Sequence, residues 1–172
     1  MAFYGARVEY ALHTLLNLTF APQGTAPSAR DLADFQRLPV AFMRKLLTQL
    51  EKAGLIEGSE GVRGGWKLAR DPKRISALEV AEAAEGRSPL FECREIRARC
   101  ALWPDDGAPR AASTGVCEIH AVMLQAEVAM RRELASASLA DILAKVEAKR
   151  SAASRAAASA WFADRYAERR KT

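Results

Sequence analysis

Apolar residues recur with helical spacing from the first turn of this chain onward. Between Phe3 and Phe20, residues Val8, Ala11, Leu12, Leu15, Leu16 and Thr19 fall at three- and four-residue steps, which predicts a helix with one apolar stripe. Pro22 to Pro27 reads as a loop. Ser28 then caps a short helix through Leu32 and Phe35, with Asp31 favouring its N-terminal end. A turn at Arg37-Leu38 leads into a further helix, where Pro39 suits the first position, Phe42, Leu46, Leu47 and Leu50 share one face, and Gly54 closes the end. Leu55 to Ser59 and Trp66 to Ala69 read as two short strands joined by the glycine-punctuated loop from Glu60 to Gly65. Ser76 caps the next helix, which turns Leu78, Val80, Ala81 and Ala84 inward and stops at Gly86.

The pattern then breaks. Residues 87–116 are irregular, interrupted by Pro89, Pro104, Pro109, Gly107 and Gly115, and a stretch this long without regular elements marks a functional or disordered segment. From Cys117 to about Ala135 a long amphipathic helix is expected, with Ile119, Val122, Met123, Ala126, Met130 and Leu134 on one stripe. Ser138 caps a shorter helix through Leu139, Ile142 and Leu143. Beyond Glu147 the Ala- and Arg-rich tail has helical composition but little to pack with, apart from Trp161, Phe162 and Tyr166. The fold expected is mainly α with a small β-hairpin wing: a winged helix-turn-helix over 1–86, an irregular ligand-bearing loop over 87–116, a long helix and its short successor over 117–146, and a basic tail over 147–172.

Composition narrows the function. No run approaches the roughly 20 apolar residues that span a bilayer, and the N-terminus lacks the charged-then-apolar build of a signal peptide, so a cytoplasmic protein without membrane contact is expected. The net charge is +5, and basic residues exceed acidic ones by that same five from Lys145 onward, leaving the first 144 residues neutral overall. A phosphate-contacting arm is one role open to such a tail. There is no Gly-rich phosphate loop and no recognisable nucleophile motif, so an enzyme is not expected.

Two helices joined by a tight turn and followed by a hairpin form a DNA-reading unit, whose second helix enters the major groove. Opposite its apolar face lie Val40, Ala41, Arg44, Lys45 and Thr48. Arg44 can fork onto guanine edges, and Lys45 suits a phosphate. Ser28, at the start of the preceding helix, joins this set. The hairpin adds Arg63, Gly64 and Lys67, with Arg70, Lys73 and Arg74 behind, and the glycines at its tip let backbone amides approach phosphates or the minor groove.

The cysteines carry a second chemistry. Three is an odd number, which argues against a closed disulfide framework. Cys93, Cys100, Cys117 and His120 are thiolate and imidazole donors suited either to zinc or to an iron–sulfur cluster. Glu9 and His13 lie one helical turn apart on one face of the first helix.

The stretch LTQLEKAGLIEGSEGVRGGWKL, the following ISALEVAEAAEG, the opening VEYALHTLLNLT and the later LASASLADIL resemble the Rrf2 family of winged-helix transcriptional regulators over about residues 3–145. The resemblance implies a homodimer formed through the long helix from Cys117, bound to a partly palindromic double-stranded DNA operator. Cluster-binding members often space three cysteines more closely than here. VEYALH around Glu9 and His13, with FECREIR around Cys93, is most similar to the RsrR-type subgroup. That likeness implies a 2Fe–2S cluster held by Glu9, His13, Cys93 and Cys117, with the helix-one ligands and the cysteines drawn from different subunits, and with Cys100 and His120 as further candidates. Replacing thiolates by imidazole raises a cluster's reduction potential, which suits a redox or nitric oxide sensor. The alternative is a winged-helix regulator stabilised by zinc or switched by thiol chemistry, using Cys93, Cys100, Cys117 and His120.

Overall fold

The structure is a computed structural model that describes residues 4–61, 64–99, 101–103 and 107–169. Its helices are α1 (Ala6–Phe20), α2 (Ala29–Gln36), α3 (Val40–Lys52), α4 (Ala77–Glu85), α5 (Glu118–Ser136), α6 (Leu139–Lys149) and α7 (Ala152–Arg169). Strands β1 (Ile56–Ser59) and β2 (Gly65–Leu68) make the hairpin between α3 and α4. The chain divides into two bodies, Met1–Gly86 with Leu134–Thr172, and Arg87–Glu133.

Local chemistry fixes the ends of these elements. Ser28, Ser76 and Ser138 each build a capping box, accepting from the third helical amide while Asp31, Glu79 or Asp141 reaches back to the cap. Arg37 closes α2 in the left-handed region at φ 54°, and Leu38 N–H reaches back to Ala33 O at 2.9 Å. Pro39 lies one place earlier than its sequence suggests, as the N-cap of α3, because its carbonyl accepts from Met43 N–H at 3.0 Å. At the other end of α3, Gly54 takes φ +66° and lets Leu55 N–H reach Leu50 O at 3.0 Å, a turn that an L side chain strains.

The first body is organised around α1 and α3. Ala11, Leu15 and Leu16 of α1, Leu32 of α2, Met43, Leu46, Leu47 and Leu50 of α3, and Val80 and Ala84 of α4 form one buried cluster. Residues after the long helix extend it: Leu139 of α6 and Phe162 of α7 are buried in the same cluster. The isolated bridge between Ser76 and Ser138, with Leu139 N–H on Ile75 O at 2.7 Å and Ala77 N–H on Ala137 O at 2.9 Å, ties the start of α6 to the start of α4. The tail docks onto the body through Trp161 and Phe162, two of the three aromatic residues that set it apart in the sequence. Phe35 of α2 receives Phe162 at 4.7 Å and Trp161 at 5.0 Å between ring centroids.

The second body is built differently. None of its described residues is buried. Helix α5 has no buried residue along its 19 positions, and Ile96, Leu102, Val116, Ile119, Val122 and Val128 are each more than half exposed. No described helix is long and apolar enough to cross a membrane.

Truncating a large ring in the shared cluster tests whether the tail belongs to the folded core. Phe162→Ala is expected to cost about 3–5 kcal/mol in denaturant unfolding, the range for deleting a buried aromatic. A tail that merely rests on the surface would give a loss near zero.

Candidate DNA-reading face and cysteine site

Burial of Met43, Leu46, Leu47 and Leu50 orients α3, so the opposite side meets solvent. Ala41, Arg44, Lys45 and Thr48 are exposed there, while Val40 is half-buried and packs against the core. The first four form an exposed face of small and polar residues with two cations.

The hairpin is antiparallel, with Ile56 opposite Leu68, Glu57 opposite Lys67, Gly58 opposite Trp66 and Ser59 opposite Gly65. Lys67 is exposed and pairs across the ladder with Glu57 at 2.9 Å. Trp66 N–H donates to Pro27 O at 2.9 Å, which seats the hairpin on the loop before α2. Gly65 is glycine for that reason: a Cβ there would lie 2.1 Å from Ala26 O. A Cβ on Gly64 would lie 2.2 Å from Ser59 O. These glycines allow close approach of the protein's own backbone. Ser28 is engaged as the α2 cap, accepting from Asp31 N–H at 3.1 Å. Arg63 falls outside the described residues.

Behind the hairpin, Lys73 and Arg74 are exposed, whereas Arg70 is paired with Glu79 at 2.8 Å. Burial raises the Glu79 pKa, but hydrogen bonds from Ser76 and from Arg70 outweigh it and hold the carboxyl below its ordinary value.

In the second body, Cys93 and Cys117 are half-buried and line one cavity of about 440 Å³. Phe91, Ile96, Ile119 and His120 line it as well, and the His120 ring lies 6.0 Å from that of Phe91. Cys117 opens α5, its carbonyl accepting from Ala121 N–H at 2.8 Å, so the positive end of the helix dipole sits beside the thiol. Glu95 holds a left-handed conformation at φ 47°, uncommon for a residue with a side chain. Two contacts with Arg97, at 2.7 and 2.9 Å, secure it. Arg97 also donates to Gly115 O at 3.0 Å, joining the strands of chain that carry the two cysteines. Its pKa is raised, first by the Glu95 hydrogen bond and less strongly by the charges of Glu95, Cys117 and Cys93. Sequence reasoning missed Arg97 and Glu95 as site residues; their alternating charges inside the irregular segment were visible but carry no fixed spacing.

Glu9 and His13 are exposed on α1, in the first body, and neither makes a hydrogen bond or ion pair among the described residues. Cys100 falls outside the described residues. Among those described, no group of three or more His, Cys, Asp or Glu side chains is placed to hold one metal ion. The chain does bring two soft thiol donors to one cavity beside a guanidinium, and that donor chemistry fits an iron–sulfur cluster or zinc.

A helix-turn-helix with a two-stranded wing, capped helices and a solvent-facing cationic second helix defines a winged-helix protein. Residues 4–145 match the profile of the Rrf2 family, described as iron-dependent transcriptional regulators, and the chain belongs to that family. Protein rrf2 of Nitratidesulfovibrio vulgaris is 31% identical over 137 residues, covering 80% of this chain and 84% of that protein. The transcriptional regulator NsrR of Shouchella clausii is 35% identical over 85 residues, which is 49% of this chain and little more than half, 57%, of NsrR. Among solved structures, IscR of T. potens superposes with a TM-score of 0.64 at 20% identity, covering 87% of this chain and 93% of that one, a likeness of fold.

The Glu95–Arg97 contact has a pH signature. The Arg97 hydrogen bonds hold the Glu95 carboxyl below the ordinary glutamate range. The stability it contributes is therefore present above the ordinary value of about 4.3 and is lost as pH falls through the folded value. Carboxyl NMR titration is expected to show the Glu95 midpoint rising in Arg97→Ala; an unchanged midpoint would mean the pair does not persist in solution.

Proposed function

We propose that this protein is a DNA-binding transcriptional regulator that holds a 2Fe–2S cluster and changes its operator affinity with redox state. The observation that carries the reading is the convergence of Cys93 and Cys117, far apart in sequence, on one cavity of a winged-helix chain. On the DNA side, α3 enters the major groove, Arg44 reads guanine edges, Lys45 meets a phosphate, and the wing with Lys67 lies alongside. Two copies place two such units on a partly palindromic operator. A helix as long as α5 with nothing buried needs a partner surface, and a second copy of the chain covers Ile119, Val122 and Val128.

Cys93 and Cys117, with His13 and Glu9, are the proposed ligands, following the RsrR-type resemblance. Bound there, the cluster supplies a one-electron store whose charge depends on redox state. Arg97 offers a cation beside the thiolates. Glu9 and His13 are uncommitted, one turn apart, and Tyr10 between them meets Phe42 of α3 edge-on at 5.6 Å. Arg7 donates to Gln49, a second link from α1 to α3. A change at Glu9 and His13 thereby reaches the recognition helix through its own neighbours, and alters the spacing of the two half-site readers.

A second reading has its own support, because His120 lines the cysteine cavity. Cys93, Cys117 and His120, with Cys100 supplied from the same segment, would suit structural zinc or a thiol switch.

Visible absorbance of anaerobically purified protein, with iron and sulfide counted, separates these readings. A coloured, dithionite-bleached species lost in Cys93→Ala and Cys117→Ala is expected. Colourless protein containing zinc establishes the second reading, and a band shift of equal strength in both redox states sinks redox control. Arg44→Ala is expected to cost about 1–3 kcal/mol of base discrimination. Sedimentation of Val122→Glu should show monomer where the wild type is dimeric; an unaltered dimer would place the interface elsewhere.

A further inference from the structure

Helix α7 begins at Ala152, beyond the 4–145 stretch that matches the family profile, and yet its far end touches the wing. The contact is made by Arg169. Its guanidinium donates to Gly64 O on the wing at 2.7 Å and to Ala26 O on the loop before α2 at 2.6 Å. It also pairs at 3.3 Å with Asp31, a carboxylate of α2 that is only 4% exposed overall. One side chain therefore joins the wing to the loop and first turn of α2, two places far apart in sequence from each other and from Arg169. Phe162 anchors the helix that carries it, and Arg165 adds an ion pair to Asp34 at 3.6 Å.

We propose that Arg169 is a positioning residue for DNA recognition: α7 braces the wing against α2 and so sets its place relative to the recognition helix. The inference rests on the DNA-binding reading above. Two strands of four residues are marginal by themselves, so the wing takes its position from what holds it. Ile56, Trp66 and Leu68 pack its inner side on the core, and two hydrogen-bonded tethers hold its base among the described residues, Trp66 N–H on Pro27 O and the Arg169 fork on Gly64 O and Ala26 O. Arginine suits the second tether because its planar donors reach two carbonyls and a carboxylate together, which a lysine ammonium cannot match. Arg169 keeps the charge of buried Asp31 compensated at the same time.

Those two duties are separable. Arg169→Lys keeps a cation for Asp31 and gives up the fork, whereas Arg169→Ala removes both and risks the fold. Hydrogen–deuterium exchange of the full chain is expected to show amides of Gly65 and Trp66 exchanging about two- to tenfold faster in Arg169→Lys, the effect of losing one or two hydrogen bonds, while α3 amides are unchanged. Binding is then read on a labelled duplex selected from a random pool by the wild-type protein. Arg169→Lys should weaken it several-fold, and the loss should shrink in a Lys67→Ala background, since both act through the wing. Unchanged wing exchange overturns the brace. Faster wing exchange with unchanged duplex affinity, or fully additive losses with Lys67→Ala, overturns its role in recognition. If the wild type selects no duplex at all, the regulator reading fails, and wing exchange alone decides whether Arg169 holds the wing.

Discussion

The structure depends on α3 meeting two environments at once. Met43, Leu46, Leu47 and Leu50 are buried at its inner face, each contributing about 1.5–3 kcal/mol in removing apolar surface from water. Arg44 and Lys45 remain in water on the outer face, where their charges carry no desolvation cost. Successive residues of a helix point about 100° apart, so this burial leaves the outer residues one direction to face. The Gly54 turn then sends the chain from α3 into the wing without lengthening the helix. The direction in which Arg44 and Lys45 face is thus set by packing on the opposite side of the helix.

The wing is governed by backbone contacts instead. Gly64 and Gly65 are required where strand, loop and hairpin backbones come close, and Trp66 and Arg169 bond to carbonyls. The same economy explains the tail. Four of the eight basic residues from Lys145 onward are paired within the chain: Arg150 and Arg155 to Glu147, Arg165 to Asp34, Arg169 to Asp31.

Much of the first body was legible because its signals are local. Ser28, Ser76 and Ser138 announce helix starts through the acid three residues on, and the 3.6-residue rhythm finds Ala11, Leu15 and Leu16 of α1 and Leu46, Leu47 and Leu50 of α3, though not buried Thr14, Asn17, Leu18 or Met43. The wing followed from glycines and a β-rich pair of runs. What escaped were contacts between segments far apart in sequence. Nothing in WFADRYAER says that Phe162 meets Phe35, and carbonyl acceptors such as Ala26 O carry no residue identity to read. At the cysteine cavity, soft donors identified Cys93, Cys117 and His120, whereas Arg97 acts through a bridge to Gly115 O that only the folded backbone defines.

The second body carries the chemistry with the least support of its own. With no buried residue among those described, Arg87–Glu133 gains little free energy from its own core, and Glu95 sits in an uncommon backbone conformation beside both cysteines. A partner copy covering the apolar residues of α5 and a ligand drawing the thiols together would each stabilise the folded arrangement over the loose one, by an amount set by their affinity for it. Because both stabilise the same segment, each strengthens the other. In the proposed regulator, loss or alteration of a group held at Cys93 and Cys117 would then be felt at the α5 surface without any long mechanical path. The two proposed cysteine ligands thus lie in a body with no buried residue among those described, while Glu9, His13 and the outer face of α3 lie in the body that holds the core.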